Sequence, residues 1–213
     1  MISNVRLKVC FRNFYRNKMV NLSARSIKHF LPRADIHCIT LFKEDYHSEY
    51  NEQEQLSDNI INIIAKTKHT NRGDNHSFSG NGSEYSEGYN IAYNIFKYHN
   101  EPVVLITEDH FFTNGSVLKE IVENRYDLAY APGDRDTNAS GSLLVINPQK
   151  VSHLFPIPSN PIPVESLLEQ HLITKVDNRY QIQNRKHMDY CGDGIHTNNV
   201  EDMIRELKAV GIV

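Results

Sequence analysis

At 213 residues, 39% of them hydrophobic, the chain is ample for one α/β domain with a full core and too short for two comfortable ones. A net charge of −3 gives no reason to expect a nucleic-acid partner, no apolar run approaches membrane-spanning length, and the start Met-Ile-Ser-Asn-Val-Arg lacks an apolar signal core. Three cysteines, odd in number and far apart, do not form a disulfide framework or a zinc ribbon, so a soluble protein of a reducing, cytoplasmic compartment is expected.

Val5–Phe11 reads as a strand and Lys18–Leu31 as a helix, with an apolar face of Met19, Leu22, Ile27, Phe30 and Leu31 stopped by Pro32. Asp35–Phe42 follows as a strand, which makes a βαβ unit and starts a parallel sheet. This amino-terminal stretch is rich in base: Arg6, Lys8, Arg12, Arg16, Lys18, Arg25, Lys28, Arg33 and Lys43 stand against Asp35, Glu44 and Asp45. The bias suits an anionic ligand or a solvated face. Asn59–Ile64 is the third strand, and Thr67–Gly82 is a polar loop too long for a plain connector.

Ser83 reads as the N-cap of a helix through Tyr98, with Tyr85, Tyr89, Ala92 and Phe96 at helical spacing. Val103–Ile106 is the expected central strand and Val117–Glu123 a short helix. Leu128–Ala131 and Ser142–Ile146 are strands around a polar loop. Pro156, Pro158, Pro161 and Pro163 mark an irregular crossing before a helix at Glu165–Leu172. Tyr180–His187 reads as a late strand, Cys191–Asn199 as a loop and Val200–Val210 as a closing amphipathic helix.

The most informative stretch is Thr107-Glu108-Asp109, an acidic step after the apolar run Pro102–Ile106. A buried parallel strand reads as an unbroken apolar run, and ligands of open α/β sheets gather beyond strand carboxyl ends, so Asp109 is expected to face a cleft. A hard oxygen donor there suits Mg²⁺ or Mn²⁺ holding a phosphate-bearing substrate. An isolated carboxylate also serves to cap a turn.

Several segments, in their order along the chain, resemble glycosyltransferases of the Rossmann-like GT-A fold, especially glycogenin and the bacterial lipooligosaccharide galactosyltransferases. Phe11-Arg12-Asn13-Phe14-Tyr15 is similar to the family's turn after the first strand, which implies nucleotide contacts there and Tyr15 packing on uracil. Thr107-Glu108-Asp109 stands in place of the Asp-x-Asp motif, with Thr107 for the first Asp; Thr107 and Glu108 would border the nucleotide, and Asp109 would bridge metal and diphosphate. Asn138-Ala-Ser140-Gly141 resembles the turn that contacts the transferred sugar, and an ordinary polar turn has the same composition. Val164-Glu165-Ser-Leu-Leu168 sits where the family has a carboxylate or amide beside the anomeric carbon; a surface carboxylate is the alternative for Glu165. Asp189-Tyr-Cys-Gly-Asp-Gly194 resembles the late loop that supplies a metal ligand, for which Asp189, His187 and, behind them, His196 compete. Ser83 and Asn90, on the helix before the central strand, join the sugar-binding set.

The resemblance implies one GT-A domain over residues 1–213, with a central, mostly parallel mixed sheet flanked by helices. Residues 1–107 would be the nucleotide part and 108–213 the sugar and acceptor part. It further implies Mn²⁺ or Mg²⁺, a UDP-sugar donor, a glycan or glycoprotein acceptor, and transfer of a hexosyl or deoxyhexosyl group with retention. A narrower resemblance is to the glycosyltransferase domains of large algal (chlorella) viruses, which would place the protein in host cytoplasm. An inverting enzyme needs a general base, for which Asp134, Asp136 and Glu165 are candidates. Three competing readings stay open. A metal-dependent hydrolase would use Asp109, His110, His187 and His196, although no His-x-His or His-Glu-x-x-His spacing occurs. A nucleotidyltransferase would need a glycine-rich loop after the first strand, where Phe11–Phe14 has none. A non-catalytic sugar-binding module is compatible with Thr107 in place of Asp.

Overall fold

The computed structural model describes residues 5–13, 16–42, 54–66, 82–123, 126–132, 139–160, 162–183 and 200–213, with backbone alone at 42, 82–84 and 139–142. Among them, seven strands form one mixed sheet: β1 (Lys8–Asn13), β2 (Asp35–Phe42), β3 (Ile60–Lys66), β4 (Val103–Thr107), β5 (Leu128–Pro132), β6 (Ala139–Ile146) and β7 (Arg179–Gln181). Their order across the sheet is β3-β2-β1-β4-β6-β5-β7, so β4 is central, as its unbroken apolar run predicts. All neighbours pair in parallel except β6, which runs antiparallel to both β4 and β5.

Alternation along the strands feeds two cores. Val9, Phe11, Val104, Ile106, Leu143 and Val145 face helices α1 (Asn17–Phe30) and α3 (Ser116–Glu123). Cys10, Val103, Leu105, Leu144 and Ile146 face α2 (Gly82–Phe96) and α4 (Val164–His171). A third cluster joins Met19 and Leu22 of α1, Phe111, and Met203 and Leu207 of α5 (Val200–Ala209). The expected α/β architecture of a mostly parallel sheet between helices is therefore present. Cys10 and Cys38 are free and buried, and burial pushes the Cys38 thiol up to about 12, which keeps it inert. No described helix is long and apolar enough to cross a membrane.

The structure shifts some expected boundaries. The first strand starts at Lys8 and runs to Asn13 because its ladder opens where Lys8 pairs with Asp35 and Leu7 O accepts the Asp35 N–H. Arg12 and Asn13 are consequently sheet residues rather than turn residues. Ser83 lies inside α2, one residue past its start, so it is not the N-cap. The late strand pairs only over Arg179–Gln181, after which Ile182 enters the core; residues 184–187 of the expected span lie outside the described residues. Residues 67–81 and 191–199, read as loops, also lie outside them.

Candidate functional site

The chain leaves β1 toward β2 on one side and β4 toward β6 and β5 on the other, so the carboxyl ends of β1 and β4 flank the switch point where α/β sheets place ligands. β6 contributes from the opposite direction. Its Leu143 pairs with Ile106, which carries the backbone of Ala139–Ser142 past the end of β4 toward the same edge.

On the β1 side, Phe11 is fully buried in the core, and Arg12 is the register partner of Thr107. Both line a cavity between the sheet and α2, together with Gly88 and Tyr89. The Arg12 guanidinium carbon lies 3.3 Å from the centre of the Tyr85 ring, a close cation–π stack. Burial pushes the Tyr89 phenol up, Tyr85 adds to the rise, Arg12 opposes it and Glu165 of α4 adds again, so these side chains share one electrostatic neighbourhood. Asn13 serves the local backbone. Its Oδ1 accepts the Arg16 N–H at 2.8 Å, and its Nδ2 donates to Asn17 Oδ1 at 2.8 Å. Below the edge, Arg16 and Glu108 form a buried ion pair at 3.7 Å, with side chains 5% and 2% exposed. A buried pair of this kind holds two segments in fixed relation because breaking it strands a charge.

Beyond β4 the chain turns sharply, and Asp109 is the side chain it presents. Asp109 Oδ1 accepts from the Thr107 hydroxyl at 2.6 Å and from His110 Nδ1 at 2.8 Å, while Thr107 Oγ1 and His110 Nδ1 are themselves 2.8 Å apart. Among the described residues, Asp109 Oδ2 accepts no hydrogen bond, and the side chain is 20% exposed. Burial alone would raise the Asp109 pKa. The His110 ring, the Thr107 hydroxyl and Arg16 outweigh it and hold the carboxyl well below the usual carboxylate range. Asp109 is thus an ionised oxygen donor at the switch point.

The segment after Asp109 is pinned to α1. Ser23 of α1 donates to His110 O, Ser26 Oγ accepts the Phe112 N–H at 3.1 Å, and Ser26 in turn donates to Ser23 O at 2.7 Å. Phe111 and Phe112 are both fully buried, on different clusters.

The structure thus brings Arg12, Thr107, Asp109 and the 139–142 backbone to one edge. Glu165 belongs to that neighbourhood through Tyr89. Glu108 and Asn13 face inward, where they hold the frame. Asn90 is about two turns into α2, and its amide is committed to Ile157: Nδ2 donates to Ile157 O at 2.8 Å and Oδ1 accepts the Ile157 N–H at 2.7 Å. Ser83, Ser140 and Gly141 are described by backbone only. Tyr15, Asn138, His187, Asp189, His196, Asp134 and Asp136 lie outside the described residues. Sequence reasoning missed Ser23, Ser26 and Arg16 as supports of the site. The signal was there for the serines, which sit three apart on the apolar face of α1 among Met19, Leu22 and Ile27.

Toward a divalent ion the described residues of this edge contribute one donor, the Asp109 carboxylate. Asp109 offers a hard, ionised oxygen, and the described residues contain no group of three or more His, Cys, Asp or Glu that could hold a metal.

No protein-family profile and no curated protein matches the chain in sequence. Solved structures do match in fold. The apo-form glycosyltransferase GlyE of Streptococcus pneumoniae TIGR4 is 13% identical, over 85% of this chain and 46% of its own, with a TM-score of 0.53. The galactosyltransferase LgtC, in complex with donor and acceptor sugar analogs, is 10% identical over 84% of this chain and 74% of its own, at 0.52. The inositol-1-phosphate CTP transferase from T. maritima is 12% identical over 99% of this chain and 100% of its own, at 0.56. The chain spans about half the length of GlyE. The chain shares with these structures a GT-A/Rossmann-like α/β fold.

Proposed function

We propose that the chain is a divalent-metal-dependent glycosyltransferase that moves a hexosyl or deoxyhexosyl group from a UDP-sugar to a glycan acceptor, with retention. The observation that carries this reading is Asp109, an ionised carboxylate at the carboxyl end of the central strand, at the switch point of a sheet shared with GlyE and LgtC. Asp109 would hold Mn²⁺ or Mg²⁺, with His187 and Asp189 as competing further ligands. Such an ion supplies charge neutralisation for the departing diphosphate. The remaining work is positioning and electrostatics. Residues 1–107 would bind the nucleotide, with Tyr15 against uracil and Arg12 adding positive charge at the β1 end. Residues 108–213 would hold sugar and acceptor, with Glu165, Asn138, Ser140 and Gly141 around the transferred ring.

A thermal-shift series tests it. UDP with Mn²⁺ is expected to stabilise the protein by about 2.7 kcal/mol at a hundredfold excess over Kd, whereas ADP, GDP or UDP with EDTA leave it near its unliganded stability. Asp109→Asn keeps the shape, loses the charge and should abolish the metal-dependent shift. Equal shifts with every nucleotide, or indifference to EDTA, would refute the assignment.

The full-length match to the CTP transferase favours a second reading, transfer of a nucleotidyl group. Against it, β1 passes to α1 through Phe14, Tyr15 and Arg16, with no glycine to cradle a triphosphate. The two readings separate by product: incubated with its donor, a glycosyltransferase releases UDP and a nucleotidyltransferase pyrophosphate.

A further inference from the structure

We propose that Thr107 and His110 form a two-donor clamp on Asp109, which makes its Oδ2 the single oxygen offered to the divalent ion. This rests on the metal-dependent donor reading above and adds a positioning role for two residues that the motif resemblance leaves without one. Thr107 stands where the resembled motif has its first aspartate, and by that comparison alone it looks like a lost ligand. The geometry gives it a different job. Its hydroxyl donates to Asp109 Oδ1 at 2.6 Å, and the His110 ring N–H reaches the same oxygen at 2.8 Å. The two donors are also in contact with each other at 2.8 Å, so neither can swing away without disturbing the other.

An unrestrained carboxylate turns about its last torsion and presents either oxygen, or both. With Oδ1 held by two donors, that freedom is gone. The clamp itself is fixed: Thr107 ends the central strand, His110 is 3% exposed with its carbonyl accepting from Ser23, and the Phe112 N–H donates to Ser26 of α1, with both Phe111 and Phe112 buried. Two hydrogen-bond donors thereby orient the one aspartate where a second carboxylate would share the ion. They add no negative charge beside the diphosphate.

The test measures Mn²⁺ affinity in the presence of UDP, from the electron paramagnetic resonance signal of free Mn²⁺, for the parent, Asp109→Asn, Thr107→Val, Thr107→Ser, His110→Phe and His110→Asn. Thr107→Val and His110→Phe should weaken Mn²⁺ binding roughly 10- to 100-fold, the range for partners that orient a ligand. Thr107→Ser and His110→Asn each restore a donor in place and should recover most of the loss, which a merely structural role for these side chains does not predict. Thr107→Val keeps the side-chain shape, so it carries the test should His110→Phe fail to fold. If Asp109→Asn abolishes Mn²⁺ binding while Thr107→Val and His110→Phe bind as the parent does, the clamp is wrong and the donor reading stands. A parent that binds no Mn²⁺ with UDP overturns both.

Discussion

Gly88 and Arg12 show how closely one residue can depend on another. A Cβ placed on Gly88 would sit 2.8 Å from Arg12 Cδ and 3.2 Å from its Cγ, and Arg12 is only 8% exposed, so the stem has little room to retreat. Glycine inside a helix is normally unfavourable by about 0.5–1 kcal/mol against alanine. Overpacking costs about 1–3 kcal/mol, which decides the sign. Gly88→Ala should therefore destabilise by about 1 kcal/mol and loosen Arg12 from Tyr85. Urea denaturation checks it, and Gly88→Ala with Arg12→Ala should be more stable than Arg12→Ala alone if the clash is the cause. At this scale the sequence was an uneven guide. Asp109 was legible because an apolar strand run must end somewhere and a carboxylate ended it. Arg12 and Asn13 were placed in a turn because nothing in Phe11-Arg12-Asn13 shows that the ladder with β2 continues through them; that depends on Asp35–Thr40, far along the chain.

The contact between α2 and the proline-rich crossing is a matter of elements rather than residues. Asn90 satisfies both the N–H and the C=O of Ile157, just past Pro156, and so fixes the crossing against the helix that borders the site. Truncation leaves two backbone groups in want of partners beside a side chain that is 2% exposed. Asn90→Ala should cost about 2–3 kcal/mol in a chemical-denaturation curve. Loss of activity without loss of stability would point instead to a direct sugar contact. Existence and type of element were readable wherever periodicity was strong, as in α1, β2 and α5. Direction was not: Leu143–Ile146 is a plain buried run, and such a run carries no mark of whether it pairs parallel or antiparallel. Its antiparallel course brings residues 139–142 to the site edge, so that part of the site could not be derived from the run alone. β7 was overextended because the alternation of Tyr180 and Ile182 outlasts the pairing with β5.

For the whole molecule, the pH dependence of stability has two limbs with identifiable sources. Burial pushes the pKa of His37 down, Asp35 pulls it up, and Lys8 and His99 lower it again, for a net decrease. The unfolded chain, with His near 6.5, then binds the proton more readily than the folded one. Stability from this residue is complete above about pH 6.5 and is lost as the pH falls through the lower folded value. Asp109 acts on the acid limb: its contribution is present above the unfolded carboxyl pKa of about 3.9 and is lost as the pH falls below it. Denaturation midpoints should accordingly fall between pH 7 and pH 5, and His37→Gln should flatten that slope while leaving the decline below pH 4. A slope unchanged in His37→Gln assigns the effect to another group. The last helix has a consequence of its own. Met203 and Leu207 of α5 close the cluster that seats Phe111, two residues beyond Asp109, yet α5 follows every strand of the sheet along the chain. During synthesis the strands and α1, which already holds the turn after β4 through Ser23 and Ser26, are therefore made before the cluster around Phe111 can close. A nascent chain thus acquires the sheet first and the last wall of the cluster behind Asp109 only with its final helix.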